Sequence, residues 1–203
     1  MLPGTVLVIP CPICGQQGRK KSSKDIRSSP ELWSDGKKIS ERMKDYPNLV
    51  RCPKCSNFFY ADEGDALIKI VDDGNKAGWI NIPYLHLPSF EEYFEGLGSE
   101  LFEKYLRWEA LHSYNDFIRQ NREHEITTDM NDLYNDNLKT LLYFLSEDDT
   151  EELFIVIEIY RQLGKFDKCL HLIKKADENK HKRMTKIFMK EIEERNSRLF
   201  RIY

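Results

Sequence analysis

At 203 residues, with 40% hydrophobic and 12% aromatic residues, the chain can bury the core of one or two domains, and it holds no run of about 18 apolar residues that could span a bilayer. The net charge of −3 is small but unevenly spread: residues 1–60 hold 11 Lys and Arg against 5 Asp and Glu (+6), and residues 61–203 hold 20 against 29 (−9), so two chemically different parts are joined. The first residues lack the basic start and long apolar stretch of a signal peptide, and thiols spaced for a metal favour a reducing compartment, so a cytoplasmic protein is expected.

Thr5-Val6-Leu7-Val8-Ile9 reads as a strand running into Cys11-Pro12-Ile13-Cys14. Asn48-Leu49-Val50-Arg51 repeats the arrangement before Cys52-Pro53-Lys54-Cys55, and Phe58-Phe59-Tyr60 leaves it. A two-residue spacer lets both thiolates of a tight turn reach one ion, and two such turns face to face supply the four soft ligands that tetrahedral zinc takes at about 2.3 Å. Gly15 stands where positive φ is expected, and Ser56-Asn57 fills the equivalent place in the second turn, where Asn tolerates that conformation. A lone Cys-x-x-Cys would also suit a redox dithiol, but neither turn lies in a βαβ context. Cys11, Cys14, Cys52 and Cys55 are therefore read as ligands of a structural Zn2+, with iron in a rubredoxin-like site as the alternative. Four thiolates leave no open coordination position for catalysis.

Between Cys14 and Cys52 lie 37 residues, long enough to hold structure of their own. Arg19, Lys20, Lys21, Lys24 and Arg27 form a basic cluster there. With Arg51, Lys54 and a stacking Trp33 it is a candidate contact for nucleic acid or a partner. The plainer reading is a solvated loop, with Leu32 and Trp33 covering the back of the zinc module. Ser34-Asp35-Gly36 signals a turn, and Lys38 to Met43 a short helix.

Ala66 to Val71 reads as a strand, Asp72 to Asn75 as a turn, and Trp79 to Ile82 as a return strand or an extended connector. Ser89-Phe90-Glu91-Glu92 is a capping-box sequence that opens a helical region. There Leu101, Phe102, Tyr105, Leu106 and Trp108 form one apolar stripe and Tyr134, Leu138, Leu141 and Leu145 another. Asp149-Thr150-Glu151-Glu152 caps a helix that is apolar nearly all round from Leu153 to Ile157 and stops at Gly164. The last helix, from about Asn179 to Phe200, places Met184, Ile187, Phe188, Ile192 and Leu199 on one side, as a cap on the bundle or, alternatively, as an apolar seam for self-association.

The segment Tyr160 to Leu170, with Gly164 at the break, Phe166 as wedge, Cys169 as the small contact residue and Ala176 beyond, resembles the turn of a tetratricopeptide repeat. The likeness covers Glu151 to Lys180. It departs at Ile157, where a small residue is usual, and no proline follows Ala176. One such hairpin implies a compact bundle rather than a solenoid, which needs about three repeats.

As a whole, Cys11, Cys14, Glu31-Leu32-Trp33-Ser34-Asp35-Gly36, Cys52, Cys55, Phe58 and the Gly164 hairpin resemble a bacterial family, without an assigned activity, that joins an N-terminal zinc ribbon to a C-terminal tetratricopeptide-like domain. The expected fold is α+β and mostly α: a zinc-ribbon β module over 1–66, a connector over 67–88, and an antiparallel helical bundle over 89–203. His86, His112, His124, His171 and His181 fall in separate segments without a catalytic motif, so an enzyme is not expected. The expected function is a non-enzymatic adaptor whose helical domain binds another protein, with nucleic-acid binding by the basic module as the alternative.

Overall fold

The computed structural model describes residues 5–21, 31–39, 49–61, 66–71, 81–98, 102–176 and 178–203. Lys24, Arg27, the turn at 72–75, half of the segment expected to return from it, and Leu101 of the expected helical stripe lie outside the described residues. The fold is α+β and mostly α, as expected, with two compact units: Met1–Ser29 with Ser40–Glu109, and Pro30–Ile39 with Ala110–Tyr203.

In the first unit β1 (Thr5–Pro10) lies at the centre of an antiparallel sheet between β2 (Gln17–Lys21) and β7 (Ile68–Val71). Val6, Leu7, Val8 and Ile9 are all buried, which explains why β1 reads as a continuous apolar run rather than an alternating one. A second hairpin pairs β5 (Leu49–Arg51) with β6 (Phe58–Tyr60). An extended strap, Pro83 to His86, joins the two hairpins through the backbone. Arg19 N–H donates to Pro83 O and Leu85 N–H to Arg19 O, while Arg51 and His86 exchange both their bonds. Leu85 is thereby held in a small core with Leu7, Ile9, Val50 and Phe59. Then α1 (Phe90–Glu95) begins at the expected capping box, in which the Ser89 hydroxyl accepts from Glu92 N–H and the Glu92 carboxylate accepts from Ser89 N–H. Of the expected stripe, Leu106 is buried but Tyr105 is half exposed, its ring edge-on to Tyr60 at 5.3 Å.

The helix α2 (Glu103–Arg119) contributes its residues from Ala110 onward to the second unit, with α3 (Thr128–Leu141), α4 (Thr150–Gln162), α5 (Phe166–Leu172) and α6 (Glu178–Glu193). Asp149 caps α4 by accepting from Glu151 and Glu152 N–H. The helix is enclosed all round, and Leu153, Phe154, Val156 and Ile157 form a core with Phe166, Cys169, Phe188 and Ile192. Gly164, at φ 70°, ends the turn into α5, and Cys169 packs so closely on α4 that its thiol lies 3.4 Å from Ile157 O.

Three expectations are corrected here. Leu32 and Trp33, expected with the N-terminal cysteine module, belong to the helical unit, as do β3 (Glu31–Leu32) and β4 (Lys38–Ile39). Leu32 exchanges backbone bonds with Ile202 and Tyr203, and Ser34 N–H donates to Phe200 O. The short helix expected from Lys38 is a strand at its start, and its remainder is outside the described residues. The last helix ends at Glu193 rather than Phe200, because Arg195 takes φ 50° and the chain turns back, with Asn196 N–H bonded to Glu191 O.

Candidate metal centre

The two knuckles are built as copies of one another. Cys11 N–H donates to Gln16 O and Gly15 N–H to Cys11 O; Cys52 N–H donates to Asn57 O and Ser56 N–H to Cys52 O. Gly15 and Ser56 hold the matching left-handed position, at φ 71° and 59°. In the second turn it is therefore the serine, not Asn57, that takes the strained conformation. These turns fold the chain back so that each strand delivers one buried thiol, Cys11 or Cys52, and each turn one half-buried thiol, Cys14 or Cys55.

All four sulfurs lie within 4.8 Å of one another. The cross-knuckle pairs are closer, with Cys11 Sγ to Cys55 Sγ at 3.7 Å and Cys14 Sγ to Cys52 Sγ at 3.6 Å. A tetrahedron with metal–sulfur bonds of about 2.3 Å has edges of about 3.8 Å, so the cluster can hold a metal ion with little movement. The sulfurs are not equivalent electrically. Asn57 lies against Cys55, and its backbone N–H and amide draw the Cys55 thiol down to about 6. At Cys14 the Gln16 N–H pulls the same way, but burial and the three other thiols outweigh it and push the group up to about 11. Metal binding requires the coordinating thiols to give up their protons.

Among the described residues expected at a contact surface, several cationic side chains are already engaged. Lys20 is 2% exposed, and its ammonium donates to Ala61 O at 2.8 Å. The Arg19 guanidinium lies 4.2 Å above the Tyr84 ring. Arg51 donates to Ser56 O and is paired with Glu92 at 3.2 Å and Glu95 at 2.8 Å, which ties the second knuckle to α1. Lys54 is exposed at the knuckle tip, Lys21 closes β2, and Lys24 and Arg27 are outside the described residues. Trp33 belongs to the helical unit, with the Arg119 guanidinium 5.5 Å from its ring centre.

Sequence reasoning missed two features. An open groove of about 700 Å³ borders the second knuckle, lined by Arg51, Pro53, Tyr84, His86, Leu87 and Glu92 among others. There His86 Nε2 lies 2.7 Å from Glu92 Oε2. The other feature is a buried polar network in the helical unit. Asp35 accepts from Asn115 Nδ2 at 2.8 Å and is ion-paired with Arg119, while His112 Nε2 lies 3.1 Å from Asp35 O. Ser34 Oγ donates to Glu158, which is paired with Arg161 at 2.7 Å, both carrying no exposed side-chain surface. The only local hint of these was the turn signal at Ser34-Asp35-Gly36.

No helix of the described residues is long and apolar enough to cross a membrane. No protein-family model matches the chain, and neither a curated protein nor a solved structure matches it.

Proposed function

We infer that the protein is a zinc-stabilised, non-enzymatic adaptor that binds another protein through its helical unit. The observation that carries this reading is the four-thiol cluster, whose 3.6 and 3.7 Å cross-knuckle spacings suit one tetrahedral ion with all four positions taken by sulfur. A metal so enclosed organises the surrounding chain and contributes folding free energy on the order of 10 kcal/mol in small zinc modules. Three of the five histidines support the same reading, since they have separate engagements: His86 with Glu92, His112 with the Asp35 carbonyl, and His181 beside the Phe154 ring. For the protein contact, the turn after α3 offers Tyr143, 88% exposed, and Phe144, 37% exposed. Exposed aromatics of this kind are enriched where proteins meet.

Nucleic-acid contact through the zinc module draws less support, because Lys20 points inward and Arg51 is engaged by two carboxylates. Affinity purification of the tagged chain, with and without nuclease, tests the adaptor reading. Discrete proteins retained after nuclease and lost with Tyr143→Ala/Phe144→Ala support it. Recovery of nucleic acid alone refutes it.

A further inference from the structure

The charge of the chain falls into three blocks rather than two. Residues 61–162 hold 8 Lys and Arg against 23 Asp and Glu, and residues 163–203 hold 12 against 6, so the −9 of the longer stretch resolves into −15 and +6. Much of that positive charge is set on α6. Beyond His181, where the backbone departs from helical geometry, α6 runs on to Glu193. Phe188 and Ile192 are buried in the helical core, with Met184 and Ile187 packed against it. Lys182, Arg183, Lys186 and Lys190 are all exposed. With about 100° of turn per residue these four fall within about 100° of arc, opposite Phe188 and Ile192, and span about 12 Å of helix. Lys182 and Lys186 pair with no carboxylate among the described residues, and Lys190 reaches Glu194 only at 3.8 Å. At one side of the stripe the ring of Tyr203, half exposed, lies 5.3 Å from the Arg183 guanidinium.

We propose that this outward face of α6, with the Tyr203 ring, is a contact surface for single-stranded nucleic acid. Exposed cations in a row attract a phosphate backbone, and an exposed ring beside an arginine is a stacking platform for a base. An anionic membrane fits less well, because the apolar side of α6 is buried in the core and cannot enter lipid. A protein partner would need an apolar centre, which the stripe lacks. The surface goes beyond the adaptor reading, since it lies on a different element from Tyr143 and requires no metal ligand.

The test is fluorescence anisotropy of labelled 20-nucleotide oligo-dT and oligo-rU with the full metal-loaded chain over a salt series. Four phosphate contacts predict a slope of log K against log salt of about −3, and Lys182→Glu/Lys186→Glu should weaken binding at least about tenfold and make the slope shallower by about 1.4. Tyr203→Leu should weaken binding while Tyr203→Phe restores it. Lys139→Glu, at an exposed lysine of α3, should change nothing. Circular dichroism and metal content verify the fold, and Lys182→Gln/Lys186→Gln replaces the charge reversal if that variant fails to fold. Absence of binding at about 50 mM salt, where electrostatic contacts are strongest, would overturn the proposal. So would equal loss from Lys139→Glu, or capture by phosphatidylserine vesicles without capture of either oligonucleotide.

Discussion

Asp35 and Arg119 form an ion pair in which the carboxylate side chain has no exposed surface and the guanidinium only 3%. Asp35 lies in the stretch between the two knuckles, yet its partners Asn115 and Arg119 are on α2. Removing one member of such a pair strands the other charge out of water. Arg119→Met should therefore cost about 3–5 kcal/mol, read as a lower urea midpoint, and Asp35→Asn/Arg119→Met should recover part of that loss. If the single and double variants unfold at the wild-type midpoint, the pair is not a structural anchor.

Acid should loosen the same region in two windows. Burial pulls the His112 pKa below its usual value, with Lys37 and Arg119 adding to the effect and Asp35 opposing it. The unfolded chain then takes up a proton near pH 6.5 that the folded chain refuses, so this contribution is present above about pH 6.5 and lost as pH falls toward the lowered folded value. For Asp35, burial is outweighed by His112, Arg119 and Asn115, which hold its carboxyl below the usual range. Its contribution is present above about pH 3.9 and lost only in stronger acid. Urea midpoints measured at pH 7 and 5.5 should drop in the wild type, and the drop should shrink in His112→Asn. An unchanged drop in the variant would assign the effect elsewhere.

Much of the fold was legible because its signals are local. The paired cysteine brackets, the Ser89–Glu92 capping box, the Asp149 cap and Gly164 all act within a few residues of themselves, and each stands where expected. The pairing of Leu32 with Ile202 and Tyr203 was not legible, because residues about 170 apart that meet through backbone atoms leave no periodic pattern. Gly36 carried half of the signal: it takes φ 82°, and a Cβ there would stand 2.8 Å from Ile155 Cδ1. The turn was readable from the residue type; the helix it packs on was not. The Glu158–Arg161 pair was hidden differently, since two charges in a helix that is otherwise apolar look like its solvent edge until both are found enclosed.

The thiols should separate into two classes. Cys169 is fully buried, and burial pushes its thiol up to about 12, so it stays protonated and shielded in the native protein. With a thiol reagent at pH 7.5, the metal-loaded chain should react at none of its five cysteines, four should react after chelation, and the fifth only in denaturant. Early reaction of Cys169 would contradict its placement.

The unequal knuckles offer a further check. Ser56 holds φ 59° where Gly15 holds 71°, and a side chain in that region costs about 1–2 kcal/mol. Ser56→Gly should raise the thermal midpoint, less the entropy glycine adds to the unfolded chain, while Gly15→Ala should lower it. The opposite order would show that the turns are not equivalent.

Metal analysis of gently purified protein, combined with X-ray absorption at the metal edge, tests the four-thiolate centre most directly. The proposed zinc centre predicts one zinc per chain with four sulfur neighbours at about 2.3 Å, lost in Cys52→Ser together with the stability of the first unit. Protein that carries almost no metal, with Cys11, Cys14, Cys52 and Cys55 all freely titratable and the fold intact, would contradict it.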